Sequence, residues 1–450
     1  MSIPAFYTLP NSPTYACLDR FSILDEGHEN ADGHVPVWPL ITKILEQPVA
    51  HTSHLIDILE TISNTLRETS GVAGDYGTLK AFLDEHPSFC GNVWPRIRDA
   101  ALRLPTHFPE ASIPVLRPGD EVVLERDQAA CLVAHQFLCT LREPPWRDGY
   151  FDFSIWYASG QRHRQAVEIY LTSFLTLFSE LAPSCSVNSR PDQQVRYSLH
   201  SFKDIESSLP LNRGAAPLSP MHVFRLEDFT TRQQELEYQG PGGAVVVSAN
   251  KHIGFGQSAT QEEIYVGNCP EACPAVLFTP PLEDDHALTV QGARPMLRIT
   301  GQRRDIAWEP LPIEARRGGR MLFMDALELD ELFTSEGEGR LPDLRPENMD
   351  REIHKAVTAF SAWKGEGHRQ VSIALWGCGA FNGNPAVKMM LVWVAASMTN
   401  VSIEVMCHIS TQSGFADKFE PFMRGLSGGK VEDLMAVLDS LSTDDPLLQV

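Results

Sequence analysis

The sequence predicts a three-layer α/β domain on a mixed sheet, preceded by a mainly helical region. Three observations carry this. Apolar residues in the first 195 positions recur every three to four residues, the spacing of amphipathic helices. After about residue 195, short runs rich in valine, isoleucine and leucine take over and alternate with helical patterns, the order that builds a layered sheet. At 450 residues the chain has room for both parts. The division is set at residue 195, with an accessory region at 1–195 and a sheet domain at 196–450.

Residues 1 to about 35 are rich in Pro, Gly, Asp and Asn and read as irregular chain wrapping a surface. Leu55, Ile58, Leu59, Ile62 and Leu66 form one helical stripe, and Val93, Ile97, Ala101 and Leu102 a second. Arg126 to Leu141 and His163 to Leu181 read as buried amphipathic helices. Between them Tyr150, Phe151, Phe153, Trp156 and Tyr157 are read as core rather than as a base-stacking platform. Strands are expected at Gln194 to Leu199, His222 to Leu226, Ala244 to Val247, Ala275 to Phe278, Met321 to Met324, Val371 to Leu375 and Val401 to Val405. Helices are expected at Arg351 to Trp363, Pro385 to Ser397 and Lys430 to Leu441.

Composition narrows the function. Against 58 acidic residues stand 37 Lys and Arg, a formal charge of −21, so the molecule repels nucleic acid and anionic membrane at long range. A polyanionic substrate then needs local positive potential from helix starts and clustered arginines. The N-terminus lacks a basic segment followed by an apolar run, so no signal peptide is expected. The longest apolar run, Met389 to Met398, falls short of the roughly 20 residues that span a bilayer. Nine cysteines, an odd number, do not suggest a disulfide framework, and Cys269 and Cys273 lack the second pair a zinc site needs. A reducing setting, nucleus and/or cytoplasm, is expected, with no metal, no cofactor and a monomeric chain.

Two glycine loops carry the chemistry. The strand Ala244 to Val247 runs into Ser248-Ala-Asn-Lys-His-Ile-Gly-Phe-Gly-Gln-Ser-Ala-Thr-Gln-Glu-Glu263. Thr260 and Glu263 fit a capping box, in which Glu263 only closes the helix start. The same residues also suit an acid site: like charge and burial raise the proton affinity of one carboxyl, and a glycosidase needs such a group to protonate a departing oxygen. Adjacent positions do not share a helix face, so the two acids should do different jobs. The second loop, Trp376-Gly-Cys-Gly-Ala-Phe-Asn-Gly383, follows the strand Val371 to Leu375 and precedes a helix with Asn384 as cap and Pro385 in its first turn. Strand, glycine loop and helix start place free N–H groups where an anion can sit. The alternative is a tight connection that binds nothing. The spacing matches neither a Walker loop nor a dinucleotide fingerprint.

At these residues the chain resembles the poly(ADP-ribose) glycohydrolases of the eukaryotic type, a helical accessory region before a macrodomain. Their signature, a glycine run followed by Gln-Glu-Glu, stands here as Gly254-Phe-Gly256 and Gln261-Glu262-Glu263, and Trp376 to Phe381 resembles their diphosphate-binding loop. The likeness extends from about residue 90 to 440. It implies that Glu263 is the catalytic acid and base and that Glu262 holds neighbouring ribose hydroxyls. It implies further that Asn250 meets the distal ribose, Glu237 reads the adenine amino group and Gln261 lies beside the nucleotide. Gly254 and Gly256 belong to the catalytic loop. Gly377, Cys378, Gly379, Ala380 and Phe381 would cradle the diphosphate. The implied partners are poly(ADP-ribose) and ADP-ribosylated proteins. The chain departs from the pattern at Phe255, which replaces a glycine and is expected to crowd the distal ribose, and in a spacer of four residues before Gln261. Val247, Leu375 and Met406 replace polar or aromatic residues, and Trp308 is the candidate ring over the adenosine. The rival reading from another class is a reader that binds ADP-ribose chains without cleaving them. A reader has no use for Glu262 and Glu263.

Overall fold

The computed structural model describes residues 3–24, 28–66, 74–147, 149–181, 193–209, 212–226, 243–301, 305–329, 341–362, 369–442 and 444–449. The first part carries helices α1 (Val37–Leu45), α2 (Thr52–Leu66), α3 (Gly77–Asp84), α4 (Trp94–Leu102), α5 (Arg126–Phe137) and α6 (Arg164–Glu180). Local chemistry sets their starts. At α5 the Glu125 amide donates to Gln128 Oε1 at 2.9 Å, half of a reciprocal capping box. The expected stripe Leu55, Ile58, Leu59 and Ile62 is the buried face of α2. Phe153, Trp156 and Tyr157 are core residues, while Tyr150 stays exposed.

An eight-stranded sheet follows, with β1 (Glu121–Glu125), β2 (Gln194–Ser201), β3 (Met221–Leu226), β4 (Gly243–Ala249), β5 (His286–Gln291), β6 (Arg320–Asp325), β7 (Gln370–Ile373) and β8 (Ser402–His408). Across it the order is β1-β2-β5-β6-β4-β7-β8-β3. The block β6-β4-β7-β8-β3 is parallel, and β1, β2 and β5 continue it antiparallel, which makes the sheet mixed as expected. Strand β1 comes from within the first 195 residues, and one hydrophobic core joins residues from both sides of that point.

The period of two in β4 explains the layers. Val245 and Val247 face a core shared with α5, α6 and the aromatics of the helical part. Ala244 and Val246 face the opposite core, shared with α8 (Pro346–Ser361), α9 (Pro385–Thr399), α10 (Ser413–Gly425) and α11 (Val431–Ser440). The helical first part therefore forms one of the three layers. Helix α9 starts as its sequence requires: Asn384 Oδ1 accepts the Ala386 and Val387 amides at 3.0 and 3.3 Å, with Pro385 in the first turn.

Several elements differ from the sequence reading, among them β1 and the short strands Phe6–Thr8, Ala16–Leu18 and His34–Pro36, which lie in chain read as helical or irregular. Ala275–Phe278 is a helical turn, not a strand; Pro274 at φ −60° sets it up, and a four-residue apolar run is ambiguous by periodicity. Strand β5 and helix α10 escaped notice, the first because its charged flank Glu283 to Asp285 hid it, the second because Pro421 interrupts the pattern. Among the described residues no helix is long and apolar enough to cross a membrane.

The helical layer is tied to the sheet by charge as well as packing. Glu271, with a fully buried side chain, accepts from Arg126 Nη1 at 2.6 Å and from Arg294 Nη2 at 2.8 Å. Burial opposes its ionisation, but the two guanidiniums outweigh that and hold it below the usual carboxylate range. Glu271→Gln strands two arginines and is expected to lower stability by about 3 kcal/mol at neutral pH, read by urea denaturation. Because the folded-state value lies below the unfolded one, the wild-type advantage is present above about pH 4.3 and should close as acid protonates Glu271 in the fold.

Candidate active site

Strands β4 and β7 are parallel neighbours, so the segments leaving their C-terminal ends emerge side by side. The chain leaves β4 toward β5 and β6 on one flank, then crosses through α8 to β7 on the other. Such a reversal opens a crevice at the strand ends. Residues 250–260 lead from β4 to α7 (Gln261–Asn268), and residues 376–383 lead from β7 toward α9.

In the first loop each expected residue has a definite place. The last paired residues of β7 and β4 are Ser372 and Val245. Beyond them Gln261 engages β4: its Oε1 accepts the Ser248 amide at 3.0 Å and its Nε2 donates to the Val246 carbonyl at 3.3 Å. Its amide is thus occupied by the strand. Asn250 is exposed at the strand's end, and its Oδ1 accepts the His252 amide at 2.9 Å in a local turn. Glu262 is buried and accepts two loop amides, Asn250 at 3.0 Å on Oε2 and Gly254 at 2.7 Å on Oε1. Glu263 is half-buried. Its Oε2 accepts the amides of Ser258 at 2.6 Å and Thr260 at 3.1 Å, while Thr260 Oγ1 accepts the Glu263 amide at 3.4 Å. The capping box is therefore real, but it uses only one carboxylate oxygen. The other, Oε1, lies against the open face of Gly256, where a Cβ would sit 2.1 Å from it. A side chain at 256 would displace that carboxylate oxygen.

Burial pushes the Glu262 carboxyl up to about 8; the two loop amides and Arg147 pull it down, and Glu263 adds to the rise. Tyr170, on the helix packed against α7, lies close enough to Glu263 to feel its charge, and burial holds it as a neutral phenol.

Phe255 corrects one expectation. It is turned inward, 4% exposed, edge-on to Phe153 and tilted against Trp156 at centroid distances of 5.3 and 5.4 Å. It points into the helical layer and leaves the strand ends clear. Trp156 Nε1 donates to the Gly256 carbonyl at 2.8 Å, fixing the next residue. The short spacer is accommodated by Ala259 in the left-handed region, φ 55°.

The second loop rests on a buried lysine. Gly377 has φ 74°, and its O accepts the Gly383 amide at 2.9 Å, closing the loop. A Cβ on Gly383 would lie 2.5 Å from Lys388 Cε. The Lys388 ammonium lies 3.2 Å from Glu352 and 3.7 Å from Asp343, and burial raises the Asp343 carboxyl. Gly379 and Ala380 are exposed at the top, and Phe381 is half-buried. Burial pushes the Cys378 thiol up, which makes it a poor nucleophile. Met406 is buried against Phe224, and Trp308 stands exposed on Ala307–Pro310, opposite Ile299. Glu237 lies outside the described residues.

Sequence reasoning missed Arg147. Its Nη1 donates to the Ile253 carbonyl and its Nη2 to that of Tyr150 at 2.9 Å. A lone arginine in a Pro-rich turn gave no signal of this. Of cation ligands, Glu283, Asp285 and His286 cluster before and at the start of β5, with candidate ligand atoms within 4.8 Å of one another. Lys355 Nζ already donates to the Glu283 carbonyl. Cys269 and Cys273 are buried and form no disulfide with each other.

The folded-state value of Glu262 exceeds its unfolded one, so its ionisation weakens the fold as pH rises from about 4.3 through about 8. Glu262→Gln escapes that loss. Its stability relative to wild type, read by chemical denaturation, is expected to move in the variant's favour by on the order of a few kcal/mol between those limits.

Two family profiles match the chain. One, described as poly(ADP-ribose) glycohydrolase, Macro domain fold, covers residues 217–414, and one described as its helical domain covers residues 83–208. Poly(ADP-ribose) glycohydrolase 2 of Caenorhabditis elegans is 28% identical over 167 residues, 34% of this chain and 34% of that protein. Poly(ADP-ribose) glycohydrolase 1 of Arabidopsis thaliana is 23% identical over 320 residues, 53% of this chain and 57% of that protein. The chain thus spans about a third to somewhat over half the length of these relatives. Among solved structures, a poly(ADP-ribose) glycohydrolase from Deinococcus radiodurans in complex with ADP-ribose aligns with TM-score 0.32 and 18% identity, over 48% of this chain and 88% of that one. One from Thermomonospora curvata aligns with TM-score 0.34 and 16% identity, over 51% and 85%.

Proposed function

We propose that this chain, which belongs to the poly(ADP-ribose) glycohydrolase family, hydrolyses the ribose–ribose O-glycosidic bonds of poly(ADP-ribose) and releases ADP-ribose. One observation carries the reading: a paired-acid helix start and an anion-suited glycine loop leave adjacent parallel strands at the same edge of the sheet. A substrate unit with a diphosphate beside a glycosidic bond fits both at once.

In this reading the exposed turn at Gly379 and Ala380 receives the diphosphate on its backbone amides, with Phe381 beside it. Glu263 is the catalytic acid. It donates a proton to the ribose oxygen that leaves, then takes one from the water that attacks the anomeric carbon. Charge develops on the sugar ring as an oxocarbenium-like state, and the bound diphosphate offsets it. Glu262 holds the neighbouring ribose hydroxyls. Its two bonds to the Asn250 and Gly254 amides keep it in one orientation. Asn250 stands where it can meet the distal ribose. ADP-ribosylated proteins are the natural carriers of the polymer, and a nuclear and/or cytoplasmic residence suits them.

Automodified poly(ADP-ribose) incubated with the protein should release ADP-ribose, read by chromatography. Glu263→Gln, which removes the proton donor while leaving the shape of the cap, is expected to lower the rate by about 10²- to 10⁴-fold with little loss of fold. Near-normal turnover by that variant would sink the assignment of the acid. Polymer retained but uncleaved by both proteins would support the reader instead.

A further inference from the structure

The peptide joining Ile253 to Gly254 is gripped from both sides. Its N–H donates to Glu262 Oε1 at 2.7 Å, and its carbonyl accepts from Arg147 Nη1. In a trans peptide these two groups point in opposite directions, so the guanidinium and the carboxyl face each other through one amide. A cation on the carbonyl side polarises the amide and makes its N–H a stronger donor to an anion. The same arginine explains Gly254, because a Cβ there would lie 2.3 Å from Arg147 Nη2. Arg147 belongs to the segment between α5 and α6, on the helical side. Its second donor holds the Tyr150 carbonyl of that segment at 2.9 Å.

We propose that Arg147 is a positioning residue through which the helical layer sets both the place and the charge state of Glu262. This rests on the glycohydrolase reading for its consequence in catalysis, although the linkage itself is a property of the free protein. Arg147 bears on Glu262 from the helical segment, and Glu263 bears on it from α7 itself. Tyr170, from α6, is neutral and faces Glu263. The arginine is therefore the cation that counters burial and the second carboxylate. A loop clamped this way cannot shift without releasing Glu262, so loss of the clamp should alter turnover more than substrate capture.

The test compares wild type, Arg147→Met and Arg147→Lys in polymer cleavage from about pH 5.5 to about pH 9.5. In Arg147→Met the kcat is expected to fall about tenfold or more with a smaller change in KM. The limb of the pH profile set by Glu262 should move upward by on the order of one unit. Arg147→Lys keeps the charge but cannot hold both carbonyls, so its limb should stay near wild type while kcat recovers only in part. If Arg147→Met does not fold, Arg147→Gln, which drops the charge and keeps a donor, carries the same expectation. A limb that does not move in a folded, uncharged variant overturns the inference, whatever happens to the rate. Should wild type release no ADP-ribose, the glycohydrolase reading fails by itself. Carbon NMR titration of the Glu262 carboxyl then decides the linkage: an upward shift in Arg147→Met sustains it, and none removes it.

Discussion

A carboxyl group taken out of water must be given hydrogen-bond donors, and in this chain Glu262 takes them from the loop that precedes it in sequence. Two amides twelve and eight residues upstream point at its two oxygens, so the path from β4 to α7 is fixed by a residue of α7. Much of the site follows from that closure. Gln261 can reach back to β4 because the loop is drawn in. Gly256 is brought against Glu263, and Glu263 in turn caps the helix with one oxygen and presents the other. The bland reading of Thr260 to Glu263 as a capping box and the functional reading as an acid site describe one arrangement. The cap holds the acid still.

The helical part is needed for the same reason. A loop of eleven residues with two glycines loses substantial conformational entropy when ordered, and its own contacts with α7 do not exhaust what holds it. The rest comes from the other layer. Phe255 packs against the stacked pair Phe153 and Trp156, the Trp156 indole takes the Gly256 carbonyl, and Arg147 takes the Ile253 carbonyl. Ile253, Phe255 and Gly256 are therefore all held by side chains from residues 147–156. Glu271, bound by Arg126 and Arg294, adds a charged tie between the same two parts.

How much of this was legible in the sequence depended on whether the signal was local. Short β-branched apolar runs identified β4 and β7, and Asn384 with Pro385 identified the start of α9, because strand composition and capping are written within a few residues. Ala275–Phe278 misled because four apolar residues carry no period, and Pro274 outweighed their β propensity. Phe255 misled for a different reason. In the sequence it is only a bulky residue in a glycine loop; its partners Phe153 and Trp156 lie about 100 residues away, and nothing near it says which way it turns. Arg147 is the extreme case, since its role exists only in the contact.

The second loop shows why glycines at such sites do more than free the backbone. Gly377 needs its positive φ, but Gly383 is required by Lys388, whose methylene chain fills the space a side chain would take. The Lys388 ammonium is almost fully buried and shared between Glu352 and Asp343, and Asp343 in turn accepts the Asn384 amide at 3.1 Å. Removing one member of such a group leaves an uncompensated charge in the core, so the group behaves as a unit. Its position directly beneath the loop means that the exposed turn at Gly379 and Ala380 sits on a foundation that cannot relax residue by residue. An anion bound there meets amides already in place, and the ordering cost has been met during folding.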